Sequence, residues 1–138
     1  MSYITDGAMK RITDAFGQRL QGSGITRIQW IALYYIQSSQ AISQRELSHK
    51  MTISDSSAGR LVDRLQRDGL VKRVPSPTDR RVTLLELTEE GDRTISDLLH
   101  VGVEFNDDIM EGITEEEICT FQRVLEKMTE NAIKGTAK

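Results

Sequence analysis

Within residues 61–91 an arginine-bearing helical stretch stops at Gly69-Leu70-Val71 and gives way to a short hairpin with Asp79-Arg80-Arg81 at its tip. This run constrains the chain more than any other part of it. A helix that ends on glycine and passes directly into a hairpin is the order of parts in a winged helix-turn-helix. In that architecture one helix can fill the major groove of duplex DNA while the hairpin reaches a neighbouring minor groove.

The residues before this run supply the helices such an arrangement needs. Ser54 is a natural N-cap for a helix over residues 54–68, with Gly69 as its left-handed stop. Ser43 with Glu46 reads as a capping box for a short helix that holds Leu47 and ends near Met51, and Thr52-Ile53 makes the turn. Thr26 with Gln29 reads as another box, opening a helix through Trp30, Ile31, Leu33, Tyr34 and Ile36 that is expected to be largely buried. Two short helices around a tight turn, after a buried one, make the tri-helical core. Residues 70–75 and 82–87 are β-rich and flank Ser76-Pro77-Thr78-Asp79, which predicts the hairpin.

Both ends carry apolar seams at helical spacing. Ile4, Ala8, Ile12, Ala15, Phe16 and Leu20 precede Gly22-Ser23-Gly24. After Thr88, Ile95, Leu98, Gly102, Phe105 and Ile109 step by threes and fours as far as Gly112, and a Thr114/Glu117 box opens a last helix with Ile118, Phe121, Leu125, Met128 and Ala132. These seams find no partner in the compact core, so they predict a second copy of the chain. The expected fold is mainly α with a small β-hairpin wing. One domain over 1–138 would set dimerisation helices, 1–21 and 92–138, around a winged-helix DNA-binding lobe at 25–91.

Composition agrees with a globular, helix-rich chain: 138 residues, 38% hydrophobic, 28% charged and two prolines. No run is long and apolar enough to span a bilayer, and Met1–Lys10 lacks an apolar signal core, so the expectation is a cytoplasmic protein with no membrane partner. The net charge of -3 conceals an asymmetry. Residues 43–88 hold nine Lys/Arg against six Asp/Glu, or +3, and the remainder holds nine against fifteen, or -6. Such a middle suits a polyanion, because the local field steers binding.

On the residue 54–68 helix, Ala58, Leu61, Val62 and Leu65 form one stripe, while Ser57, Arg60, Arg64 and Arg67 form another. Arginine suits the second stripe because its planar fork bridges guanine O6 and N7 or clamps a phosphate. Residues near the helix N-terminus come closest to base edges, so Ser56, Ser57 and Arg60 are the expected readers, with Ser54 beside them as cap; Arg64 and Arg67 are expected on phosphates. In the hairpin, Arg80 and Arg81 are minor-groove candidates, and Asp79 is expected to brace the loop. Taken alone, the arginine row is a solvated helix face with a weak Asp63/Arg67 pair, and the tip is a polar hairpin. The order of turn, helix and hairpin is what favours DNA.

Arg60-Leu61-Val62-Asp63-Arg64-Leu65, then Asp68-Gly69-Leu70-Val71 and Arg73, then Asp79-Arg80-Arg81 and Leu87-Thr88-Glu89-Glu90-Gly91 resemble the MarR (multiple antibiotic resistance regulator) family in order and spacing. The motif covers residues 42–91, and the flanking helices agree with the family's layout. The resemblance implies a homodimeric winged-helix transcription factor, usually a repressor, whose terminal helices interlock on a pseudo-palindromic operator in double-stranded DNA. It assigns the recognition helix to residues 54–68 and the wing to 71–87, makes Arg81 the minor-groove residue with Asp79 beside it, and gives Asp63 a role in positioning wing arginines. It also implies release by a small aromatic or phenolic effector bound between the dimer helices and the DNA-binding lobe, for which Trp30 and Tyr34 are candidates, although core packing is their first reading. The first helix looks short for the family. Gly59 inside the recognition helix costs about 1 kcal/mol relative to alanine.

Some relatives respond to oxidation through a cysteine, which leaves Cys119 as the basis of a redox-responsive alternative. Beside Ile118 and Phe121 it is read as a small buried residue. His49 and His100 are too few and too scattered to mark a metal, so no metal and no cofactor is expected. No phosphate loop, serine elbow or paired catalytic set is visible, so an enzyme is not expected. A winged helix that binds an acidic protein partner is the other alternative.

Overall fold

The computed structural model describes residues 2–137. Their elements follow in the order α1 (Ser2–Arg19), α2 (Arg27–Ser39), β1 (Ile42–Ser43), α3 (Gln44–Met51), α4 (Asp55–Arg67), β2 (Val71–Pro75), β3 (Thr83–Leu87), α5 (Glu89–Met110) and α6 (Glu115–Thr136). The chain divides into two compact units after Glu104.

In the first unit the core forms where the three helices of the helix-turn-helix meet the sheet. Ala32, Leu33 and Ile36 of α2, Leu47 of α3, and Val62 and Leu65 of α4 close on Ile42, Val71 and Leu85, with Ile95 of α5 covering them. The caps set the helix starts. Thr26 and Gln29 form the reciprocal box on α2, at 3.2 and 2.9 Å, and the Ser54 hydroxyl accepts the Ser57 amide at the head of α4. Gly69, at φ 76, ends α4 in the left-handed region that only glycine adopts at no steric cost. The Leu70 carbonyl then accepts the Thr88 amide, tying the exit of α4 to the start of α5. Gly91 is required here, because an added Cβ would overlap the Leu70 carbonyl.

Several expectations need correction. The sheet has three strands, in the order β1-β3-β2, because Ile42 and Ser43 pair antiparallel with Leu85 and Leu84. A two-residue strand is too short to show alternation in sequence. Ser43 belongs to that strand, and its capping box is only half made: the Ser43 hydroxyl accepts the Glu46 amide, but the Glu46 carboxylate takes the Ser43 hydroxyl rather than its amide. Val82 lies in the loop, since Pro75 pairs with Thr83 and the Val82 amide turns back to the Asp79 carbonyl. Tyr34, expected inside, is 42% exposed.

The second unit contains the end of α5, a left-handed turn at Gly112 (φ 77), and α6, which opens on the Thr114/Glu117 box. No residue of α6 is buried, and Phe121, Val124, Leu125, Met128 and Ile133 all stand exposed. Cys119, expected to be buried, is an exposed free thiol. Of its apolar neighbours, Phe121 stands exposed and Ile118 is half-buried. Among the described residues no helix is long and apolar enough to cross a membrane.

Candidate nucleic-acid interface

Helix α4 separates its two stripes as its spacing demands. Ala58, Val62 and Leu65 are wholly buried and Leu61 is half-buried, which fixes the rotation of the helix and leaves Arg60, Arg64 and Arg67 exposed on the other side. Its first turn is held twice. The Ser54 hydroxyl accepts the Ser57 amide at 3.1 Å and donates to the Ser57 hydroxyl at 2.9 Å, and Ser48 of α3 donates to the Asp55 carboxylate at 2.6 Å. Ser54 is therefore engaged as a cap, and Ser57 is half-buried with its hydroxyl bonded to Ser54 and, at 3.4 Å, to Arg60 Nη2. Ser54, Asp55, Ser56 and Arg60 stand exposed along these first turns, the first two with their side chains engaged by Ser57 and Ser48.

The wing tip is built from side chain to backbone bonds. Ser76 Oγ accepts the Thr78 and Asp79 amides, and Asp79 Oδ1 accepts the Arg81 amide at 3.0 Å. The carboxylate thus shapes the turn that carries Arg80 and Arg81. Arg80 and Arg81 are exposed on this frame.

At the wing base, Arg73 of β2 reaches three acceptors. Its Nη2 lies 2.8 Å from Asp63 Oδ1 and donates to Gln44 Oε1 at 3.1 Å, while Nη1 donates to Gln66 Oε1 at 2.6 Å. Asp63 therefore meets an arginine at the wing base rather than one at its tip. Arg73 and Arg81, with Arg45, line a groove of about 530 Å³ between the wing and the start of α3. Sequence reasoning did not find Gln44. Its signal is faint: an amide at the head of α3, opposite a glycine in the next helix.

Trp30 and Tyr34 stack face to face, with ring centroids 5.5 Å apart and planes 4° apart. Trp30 also meets Phe16 edge to face and donates its indole N–H to the Leu98 carbonyl at 2.9 Å, and an added Cβ on Gly102 would overlap its ring. That is a packing role for Trp30. A larger cleft lies elsewhere, at about 900 Å³, between α1, the start of α2 and α4. Asp14 and Gln18 of α1, Arg27 and Gln29 of α2, and Ser57, Arg60 and Arg64 of α4 contribute to its walls, and neither Trp30 nor Tyr34 lines it. Arg27 was not singled out by the sequence.

A family model described as the MarR family matches residues 23–82. An uncharacterized HTH-type transcriptional regulator of Bacillus subtilis (strain 168), YsmB, is 36% identical over 104 residues, which are 75% of this chain and 71% of that one. Among solved structures, a mutant MarR from E. coli complexed with operator DNA superposes with a TM-score of 0.80 at 24% identity, covering 92% of this chain and 91% of that one. BpsR of Bordetella bronchiseptica, whose DNA binding is regulated by 6-hydroxynicotinic acid, superposes with a TM-score of 0.81 at 21% identity, covering 94% and 92%.

Proposed function

The chain belongs to the MarR family, and from that membership we propose that it is a homodimeric repressor that binds a pseudo-palindromic operator and releases it when a small aromatic acid binds. Family and fold are those of DNA-binding transcriptional regulators, and no catalytic activity is indicated. The observation that carries the proposal is the exposed Arg60, Arg64 and Arg67 row, on a helix whose opposite stripe is buried at Ala58, Val62 and Leu65 and half-buried at Leu61, and whose chain continues into an arginine-tipped wing. In this reading Ser56 and Arg60, with the edge of Ser57, read bases. Arg64 and Arg67 hold phosphates, Ser54 and Asp79 shape the backbone around them, and Arg80 and Arg81 enter the minor groove.

The uncovered seam of α6 supports the dimer, because Phe121, Leu125 and Met128 would stand in water in a monomer. The cleft beside α4 supports the effector. Its volume suits a small ligand, and Arg27, Arg60 and Arg64 suit a carboxylate or phenolate. A ligand that pairs with Arg60 and Arg64 competes with DNA for the same guanidinium groups. Trp30 and Tyr34 then support the cleft through α2 rather than touching the ligand.

Selecting bound fragments from the source genome and challenging them with random duplex tests the reading. One selected sequence should outcompete random duplex by about 10³-fold or more at physiological salt, and aromatic acids should lower that ratio. Equal binding of random and selected duplex would refute an operator-binding role and leave the arginine face to an acidic protein partner.

A further inference from the structure

Arg73 stands apart from the exposed arginines of α4 and the wing tip. Its side chain is only 28% exposed, and its fork is filled by acceptors from two helices: Gln44 of α3, and Asp63 and Gln66 of α4. One guanidinium therefore ties β2 to both helices of the helix-turn-helix. Gly59 belongs to the same cluster. A Cβ there would sit 3.3 Å from Gln44 Nε2, tighter than most contacts, so a side chain at 59 would press the Gln44 amide aside by a few tenths of an ångström.

We propose that Arg73 is a positioning residue that fixes the angle between the wing and the recognition helix, so that the arginines of both engage neighbouring grooves together. The proposal rests on the DNA-binding reading above. Leverage gives the anchor its importance: the wing tip projects on the order of 15 Å beyond Arg73 at ~3.3 Å per residue, so a tilt of about ten degrees displaces Arg80 and Arg81 by ~3 Å. A displacement of that size removes a hydrogen bond. Half-exposed ion pairs contribute little to stability, so the fork matters for direction more than for folding. Lysine cannot replace it, because a single ammonium lacks the planar fork that meets three acceptors.

Two measurements on the full chain test this. Residual dipolar couplings report the orientation of the β2–β3 hairpin against α4 without DNA. Hairpin and α4 should share one alignment in the wild type and lose it in Arg73→Met and Arg73→Lys, while α2 and α3 are unchanged. A shared alignment in both variants would overturn the proposal. The second measurement is affinity for the selected duplex. Arg81→Ala should weaken binding about tenfold in the wild type and less than about twofold in the Arg73→Met background, where the tip is already misdirected. Equal factors in the two backgrounds, or full rescue by Arg73→Lys, would overturn it and make Arg73 a charge or a fold contact. If the wild type fails to prefer selected over random duplex, the operator-binding reading has failed, and the dipolar couplings still decide whether Arg73 holds the wing.

Discussion

At the scale of single residues, the interface separates arginines by what lies around them. Arg60 stands on the first turns of α4 beside the exposed Ser56, while Arg64 lies a turn further along. Arg60→Ala is therefore expected to cost roughly 1–3 kcal/mol on the preferred duplex and to relax preference at one base pair. Arg64→Ala should weaken all duplexes alike and flatten the salt dependence. Equal, sequence-independent losses from both variants in a binding titration would contradict that division. Thr52 is a second residue whose environment speaks. It links α3 to α4 in the left-handed region at φ 55 and ψ 48, where a β-branched side chain is strained, and that side chain is exposed. Thr52→Gly should stabilise the lobe by about 1 kcal/mol, visible as a higher melting midpoint; a lower midpoint would show that the turn is not strained.

At the scale of elements, the sequence was legible wherever local chemistry decides the outcome. The Thr26, Ser54 and Thr114 caps, the Gly69 stop and the arginine stripe of α4 all follow from side chains that act within a few residues of themselves. What stayed hidden depends on partners far away in sequence. β1 exists only because Leu84 and Leu85 lie beside it, and Gln44 matters only because Arg73, 29 residues on, reaches back to it. Cys119 and Tyr34 were misjudged for a related reason: helical spacing tells which face is apolar, but not whether anything in the same chain covers it. Gly91 is the reverse case, a residue named within a motif whose physical reason appears only in three dimensions. Gly91→Ala should destabilise the lobe by roughly 1–3 kcal/mol, because its Cβ would meet backbone that cannot rotate away. An unchanged denaturation midpoint would show that α5 can shift to accept it.

At the scale of the whole molecule, an acidic C-terminal stretch and a basic middle fit a chain whose C-terminal helices meet protein and whose middle meets phosphate. The exposed α6 seam makes a direct demand. Leu125→Glu, placing a charge among Phe121, Val124 and Met128, should shift the protein from dimer to monomer in analytical ultracentrifugation and abolish operator binding at concentrations that saturate the wild type. Retained dimer with retained binding would remove α6 from the interface. The central claim is that two copies place two α4 helices in successive major grooves, with half-site centres about 34–36 Å apart, or roughly 10 base pairs. Inserting about 5 base pairs between the half-sites turns one groove to the far side of the duplex and should reduce affinity to the level of random duplex. Undiminished affinity for that duplex, in the same titration against the unaltered operator, would contradict the account.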